Sequence, residues 1–122
     1  MNTTDTTDAL RTVLDAWKGA VDEHRPESAA ALFTEDAIFQ GLHPYTTGRP
    51  GIAAYYDSQP AGLSANYRLL ETRRLADDLI LGYLGVAFSF TDRPTLDVNL
   101  SVLLRRTDQG WAIAHYQVSL LP

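Results

Sequence analysis

The sequence contains no cysteine, one methionine and only three histidines. Without thiols it has no disulfide framework, no thiolate metal site and no cysteine nucleophile. Basic residues are the scarcer charge, 10 Lys and Arg against 15 Asp and Glu, for a net −5 and an isoelectric point of about 4.9. No basic stripe exists to neutralise phosphates, which argues against nucleic acid as a partner. Arg73-Arg74 and Arg105-Arg106 read as isolated, solvated strand positions. No apolar run reaches membrane-span length, and the first twenty residues lack a signal-peptide core, so a cytoplasmic protein without membrane contact is expected. No dinucleotide-binding glycine motif is present, and Gly48-Arg49-Pro50-Gly51 reads as a turn opening a helix, not a phosphate loop. His24, His43 and His115 show no metal-ligand spacing. Neither cofactor nor metal is expected.

What is present fits one domain of 122 residues, 45% apolar and 20% charged. Residues 1–7 read as a polar tail. Thr7 or Asp8 can cap a helix running to about Glu23, whose Leu10, Val13, Leu14, Trp17, Ala20 and Val21 form one apolar stripe. Pro26 can open a second short helix, Ser28 to Phe33. Asp36 to Gly41 reads as a strand, and a proline- and glycine-bearing loop follows. Ile52 to Ser58 reads as a third helix carrying Tyr55 and Tyr56. Tyr67 to Ala76 and Leu79 to Phe90 are long strands, turning at Asp77-Asp78. Three helices followed mainly by antiparallel strands is an α+β arrangement, with the helices on the concave side of a strongly curved sheet.

The last quarter organises the rest. Asp97 to Thr107 and Trp111 to Leu120 read as paired strands joined by Asp108-Gln109-Gly110, the pattern of a type I turn closed by a glycine bulge. That turn sets Thr107 opposite Trp111 and sorts the side chains by parity. The odd-numbered face carries Asn99, Ser101, Leu103, Trp111, Ile113, His115 and Gln117, and is expected to line a pocket. The even-numbered face carries Val98, Leu100, Val102, Tyr116 and Val118, and is expected to meet helices or a second subunit.

The order of these elements, with ALFTEDAIFQG, TTGRPGIAAYY and GWAIAHYQVS, resembles the NTF2-like superfamily over residues 9 to 120. Within it the chain is most similar to the SnoaL-like and SgcJ/EcaC-type small proteins. The resemblance implies a cystatin-like cone whose curved, mainly antiparallel sheet encloses a pocket, and a homodimer packed through the outer sheet face. Matched to ketosteroid isomerase, Gly41 stands in place of the catalytic aspartate, Trp17 in place of the oxyanion-hole tyrosine and Ser101 in place of the oxyanion-hole acid. Tyr56 is retained. The chain is therefore not a ketosteroid isomerase. SnoaL-like cyclases use a carboxylate with a histidine, for which Asp97 and His115 are the available pair.

On these residues the leading expectation is a pocket for a small, apolar, polyketide-like metabolite. His115 is the catalytic candidate, as an acid or base in a cofactor-free isomerisation, cyclisation or dehydration; its other reading is a core histidine bonded to a strand neighbour. Asn99, Ser101 and Gln117 would orient ligand oxygens or satisfy one another. Trp17, Tyr45 and Tyr56 would form walls, and His43 would sit at the mouth. The rival expectation is a non-catalytic binding or dimerisation module.

Overall fold

The computed structural model describes residues 3–122, with side chains from Asp5 onward. Helix α1 spans Thr3–Asp22. It starts ahead of the expected cap, so the anticipated polar tail is helical over its described part. Its stripe is buried as the spacing requires, with Leu10, Leu14 and Trp17 fully covered. The helix closes through His24, whose left-handed backbone (φ 51°) lets the Arg25 N–H reach the Ala20 carbonyl at 2.9 Å. That is the six-to-one bond of a Schellman-type end, a place where glycine is the easier residue. Pro26 then opens α2, Pro26–Ala30, which ends earlier than expected. Strand β1 begins at Phe33 and runs to Gln40, and a two-residue strand β2, Thr46–Thr47, pairs with it. Helix α3 spans Arg49–Asp57.

The four remaining strands are β3 (Ser64–Ala76), β4 (Leu79–Ser89), β5 (Leu96–Thr107) and β6 (Gly110–Leu120). The sheet runs β2-β1-β6-β5-β4-β3, antiparallel throughout except that β1 lies parallel to β6. It is a curved, unclosed mixed sheet in the cystatin-like, NTF2-like manner, and the fold is α+β. Among the described residues no helix is long and apolar enough to cross a membrane.

The turn between β5 and β6 differs from the expected one. Thr107 pairs with Gly110, not Trp111, leaving a two-residue connection, Asp108-Gln109. Gly110 takes a left-handed backbone (φ 105°), and the Thr107 hydroxyl holds both the Gln109 N–H and the Gly110 carbonyl. The shortened loop slips the register by one residue near the turn. A bulge at Ala114 then restores it, so Leu104 faces Ile113 but Leu103 faces His115. Ile113 and Trp111 consequently join the even-numbered residues of β5. The guanidinium groups of Arg74 and Arg106 both lie over the Trp111 ring, at 5.2 and 4.6 Å from its centroid.

The even-numbered side chains form the inner face, covered by α1 and the other helices. Val98, Leu100, Val102, Tyr116 and Val118 are each at most 9% exposed within the single chain. Of the two coverings expected of this face, helices or a second subunit, helices cover it within the single chain, so these residues are not open to form the dimer surface: burying the stripe of α1 uses that face up. At the edge strand, Asp22 receives the Ala65 N–H at 2.8 Å and the Lys18 ammonium at 2.8 Å, and Lys18 also reaches the Ala65 carbonyl at 2.6 Å. These bonds clamp the end of α1 to β3.

Candidate functional site

Because the inner face is even-numbered, the odd-numbered polar residues lie on the opposite side of the sheet. His115 sits between Leu103 and the exposed Ile38 in the register. Asn99 donates to the Tyr83 hydroxyl at 3.1 Å, and Gln117 donates to its neighbour's carbonyl at 3.3 Å. Ser101 lies between Tyr83 and Gln117. All four are half-buried on the outer face and none reaches the cavity described below. Asp97 and His115 do not form a pair. His115 stands opposite Leu103, six residues along β5 from Asp97, or roughly 20 Å of strand. Tyr45 is 64% exposed, and His43, also exposed, touches the site only through the edge of Tyr55.

The apolar cavity lies on the inner side, between α3, the β4–β5 connection and β6. Its apolar wall is Leu42, Leu63, Phe88, Phe90, Leu96 and Val118, and its volume is about 50 Å³. That admits a molecule of a few heavy atoms. Leu42, itself 47% exposed, lies at the solvent side of this wall. The polar groups on the lining are three phenols, Tyr55, Tyr56 and Tyr116, and the carboxamide of Gln59. No carboxylate or imidazole belongs to it.

Helix α3 places adjacent Tyr55 and Tyr56 with their rings nearly perpendicular. Both pack on Phe39 of β1, which stacks flat on Tyr116 of β6 at 4.3 Å. The Tyr56 oxygen accepts the Trp17 indole N–H at 2.8 Å in a buried bond. An indole nitrogen only donates, so the Tyr56 oxygen must be the acceptor. Accepting from Trp17 leaves the Tyr56 hydroxyl its own proton to donate. Burial pushes the Tyr56 and Tyr116 phenols well above the ordinary tyrosine range, and Tyr55 up as well, with the Leu42 backbone N–H acting against the shift at Tyr55. All three hold their protons at neutral pH and can donate them to hydrogen bonds.

Of the residues expected at a site, the structure brings together Tyr56 in the wall and Trp17 behind it. Tyr55, Gln59 and Tyr116 were missed. Tyr116 lies on the even-numbered face expected to meet helices or a second subunit, not on the face expected to line the pocket, and the three-residue spacing of Tyr56 and Gln59 across the end of α3 is the available signal for Gln59.

Residues 2–81 match a family model described as a SnoaL-like domain. No curated protein matches the chain significantly. Among solved structures, a domain of unknown function with a cystatin-like fold from Nostoc punctiforme superposes with a TM-score of 0.84 at 22% identity, covering 99% of this chain and 80% of that one. A ketosteroid isomerase-like protein from Erwinia carotovora atroseptica gives 0.81 at 19% identity, covering 94% and 95%. An NTF2-like protein with a cystatin-like fold from Novosphingobium aromaticivorans gives 0.80 at 17% identity, covering 97% and 83%. At these identities the likeness is one of fold.

Proposed function

The chain belongs to the SnoaL-like domain family, and on that footing we propose that it binds a small, largely apolar molecule through one oxygen that accepts a hydrogen bond from Tyr56. One observation carries this reading: on a mainly apolar lining, the Tyr56 oxygen already accepts the Trp17 indole N–H, leaving the phenol's own proton to point at a ligand. Desolvated donors of this kind stabilise a carbonyl oxygen or the negative charge that develops on it. Proton abstraction needs a base within hydrogen-bond reach, and the lining supplies none. The function is therefore binding, with His115 outside it.

Cyclopentanone tests the proposal, followed through the Trp17 indole N–H resonance with that of Trp111 as internal reference. A saturable shift is expected, weakened about tenfold by Tyr56→Phe, the loss of one hydrogen bond in an apolar site. Filling the cavity with Leu63→Trp should abolish it. An unmoved Trp17 signal would sink the reading.

The outer sheet face is proposed as the surface for a second copy of the chain, in place of the inner one. Leu81, Leu103 and Ile38 align across it by register, and Ile38 is 45% exposed.

A further inference from the structure

We infer that Gln59 sets the specificity of this cavity, and that it selects a small ring with an amide edge, a lactam, over a ketone or lactone of equal size. The inference rests on the proposal that the cavity binds a ligand oxygen at Tyr56, and it adds which chemical group accompanies that oxygen.

Gln59 follows Tyr56 by three residues, and its backbone N–H bonds to the Tyr56 carbonyl at 3.2 Å. Gln59 lies in the turn just beyond α3, and that turn keeps it next to Tyr56. Both border the apolar cavity. Both also border a second space of about 10 Å³ behind it, next to His24 and Val21. Tyr56 and Gln59 therefore stand side by side in the partition between two cavities.

Among the described residues the Gln59 carboxamide makes no hydrogen bond within the chain, and its polar atoms are open to solvent. The other polar groups on the lining are phenol hydroxyls, so among the described residues Gln59 supplies its one side-chain carbonyl acceptor. A carboxamide presents an N–H donor and a carbonyl acceptor side by side. Beside it, Tyr56 adds a second donor. The complement of this set is an oxygen able to accept from both Tyr56 and the Gln59 amide group, next to an N–H that donates to Gln59 Oε1. A lactam carries those two groups on one edge. A ketone or a lactone carries only the oxygen, and leaves Gln59 Oε1 unpaired against an apolar ring, which is the costly arrangement.

Three probes of nearly identical shape separate the possibilities: pyrrolidone, butyrolactone and cyclopentanone, each titrated against the Trp17 indole N–H signal in the wild type and in Gln59→Met. The methionine keeps the length of the side chain and removes both hydrogen-bonding groups. In the wild type pyrrolidone is expected to bind about tenfold tighter than butyrolactone, the worth of one hydrogen bond to a partly desolvated amide. In Gln59→Met that preference should vanish, with cyclopentanone still binding saturably but more weakly, since its oxygen loses the Gln59 N–H and keeps Tyr56. If cyclopentanone binds but the wild type does not prefer the lactam, the role given to Gln59 is wrong while the pocket stands. Persistence of the preference in Gln59→Met overturns it equally. No saturable shift with any of the three overturns both.

Discussion

The oxygen of Tyr56 is where the most interactions converge. It is the acceptor for Trp17, whose indole N–H is otherwise sealed from water. Tyr56→Phe keeps the ring and removes the acceptor, stranding that N–H, so a loss of about 1–3 kcal/mol in urea unfolding is expected. His115→Ala, on the outer face, should leave cyclopentanone binding unchanged; a weakened affinity would return His115 to the site. Tyr67 gives a pH prediction. Burial, followed by its bond to Asp15, raises its phenol to about 12. A phenol raised in the fold contributes stability that is intact below its unfolded value of about 10 and is lost as pH climbs toward 12. Stability should thus fall over that alkaline window, and less steeply in Tyr67→Phe, as read by urea midpoints across pH. At this scale the sequence made Trp17 and Tyr56 legible, because helical spacing alone turns them inward. Tyr116 and His115 exchanged places, because deciding which face of a strand looks inward takes the helices that cover it.

At the scale of elements, the β5–β6 hairpin shows what sequence patterning can and cannot carry. Its strands and the glycine at the turn were readable, since β-branched and aromatic alternation ends at Asp108-Gln109-Gly110. The bulge at Ala114 was not, for nothing in Ile113-Ala114-His115 marks it; it follows from closing the loop one residue short while keeping both Ile113 and Tyr116 in the core. The approach of α1 to the sheet also depends on a missing side chain. A methyl group at Gly82 would come within 2.7 Å of Leu10 and 3.2 Å of Val102. Gly82→Ala should therefore cost about 1–3 kcal/mol through overpacking, measured by denaturant unfolding. The clamp at Asp22 predicts a different pattern. Asp22→Asn keeps an acceptor for the Ala65 N–H, whereas Asp22→Ala removes it and should lower stability by about 1–3 kcal/mol.

For the whole molecule, the order of elements and the α+β class were open to reading, because hydrophobic period changes from helical to alternating at the right places. The inner and outer assignment of the sheet was not, and the site moved with it. If the outer face holds a second copy, sedimentation should give a mass of two chains, reduced to one by Leu103→Glu; a monomeric wild type would remove that proposal. The parallel pairing of β1 with β6 has a further consequence. Ile38 and His115 are neighbours in the sheet yet lie about 80 positions apart, so this contact closes a long loop that is slow to form. During vectorial synthesis on a ribosome, β1 emerges early and then waits, without its neighbour, until β6 has left the exit tunnel. The side of Phe39 meant for Tyr116 is meanwhile uncovered. This chain is thus one that completes its sheet only after nearly all of it has been made, and its vulnerable interval for aggregation is set by the rate of translation.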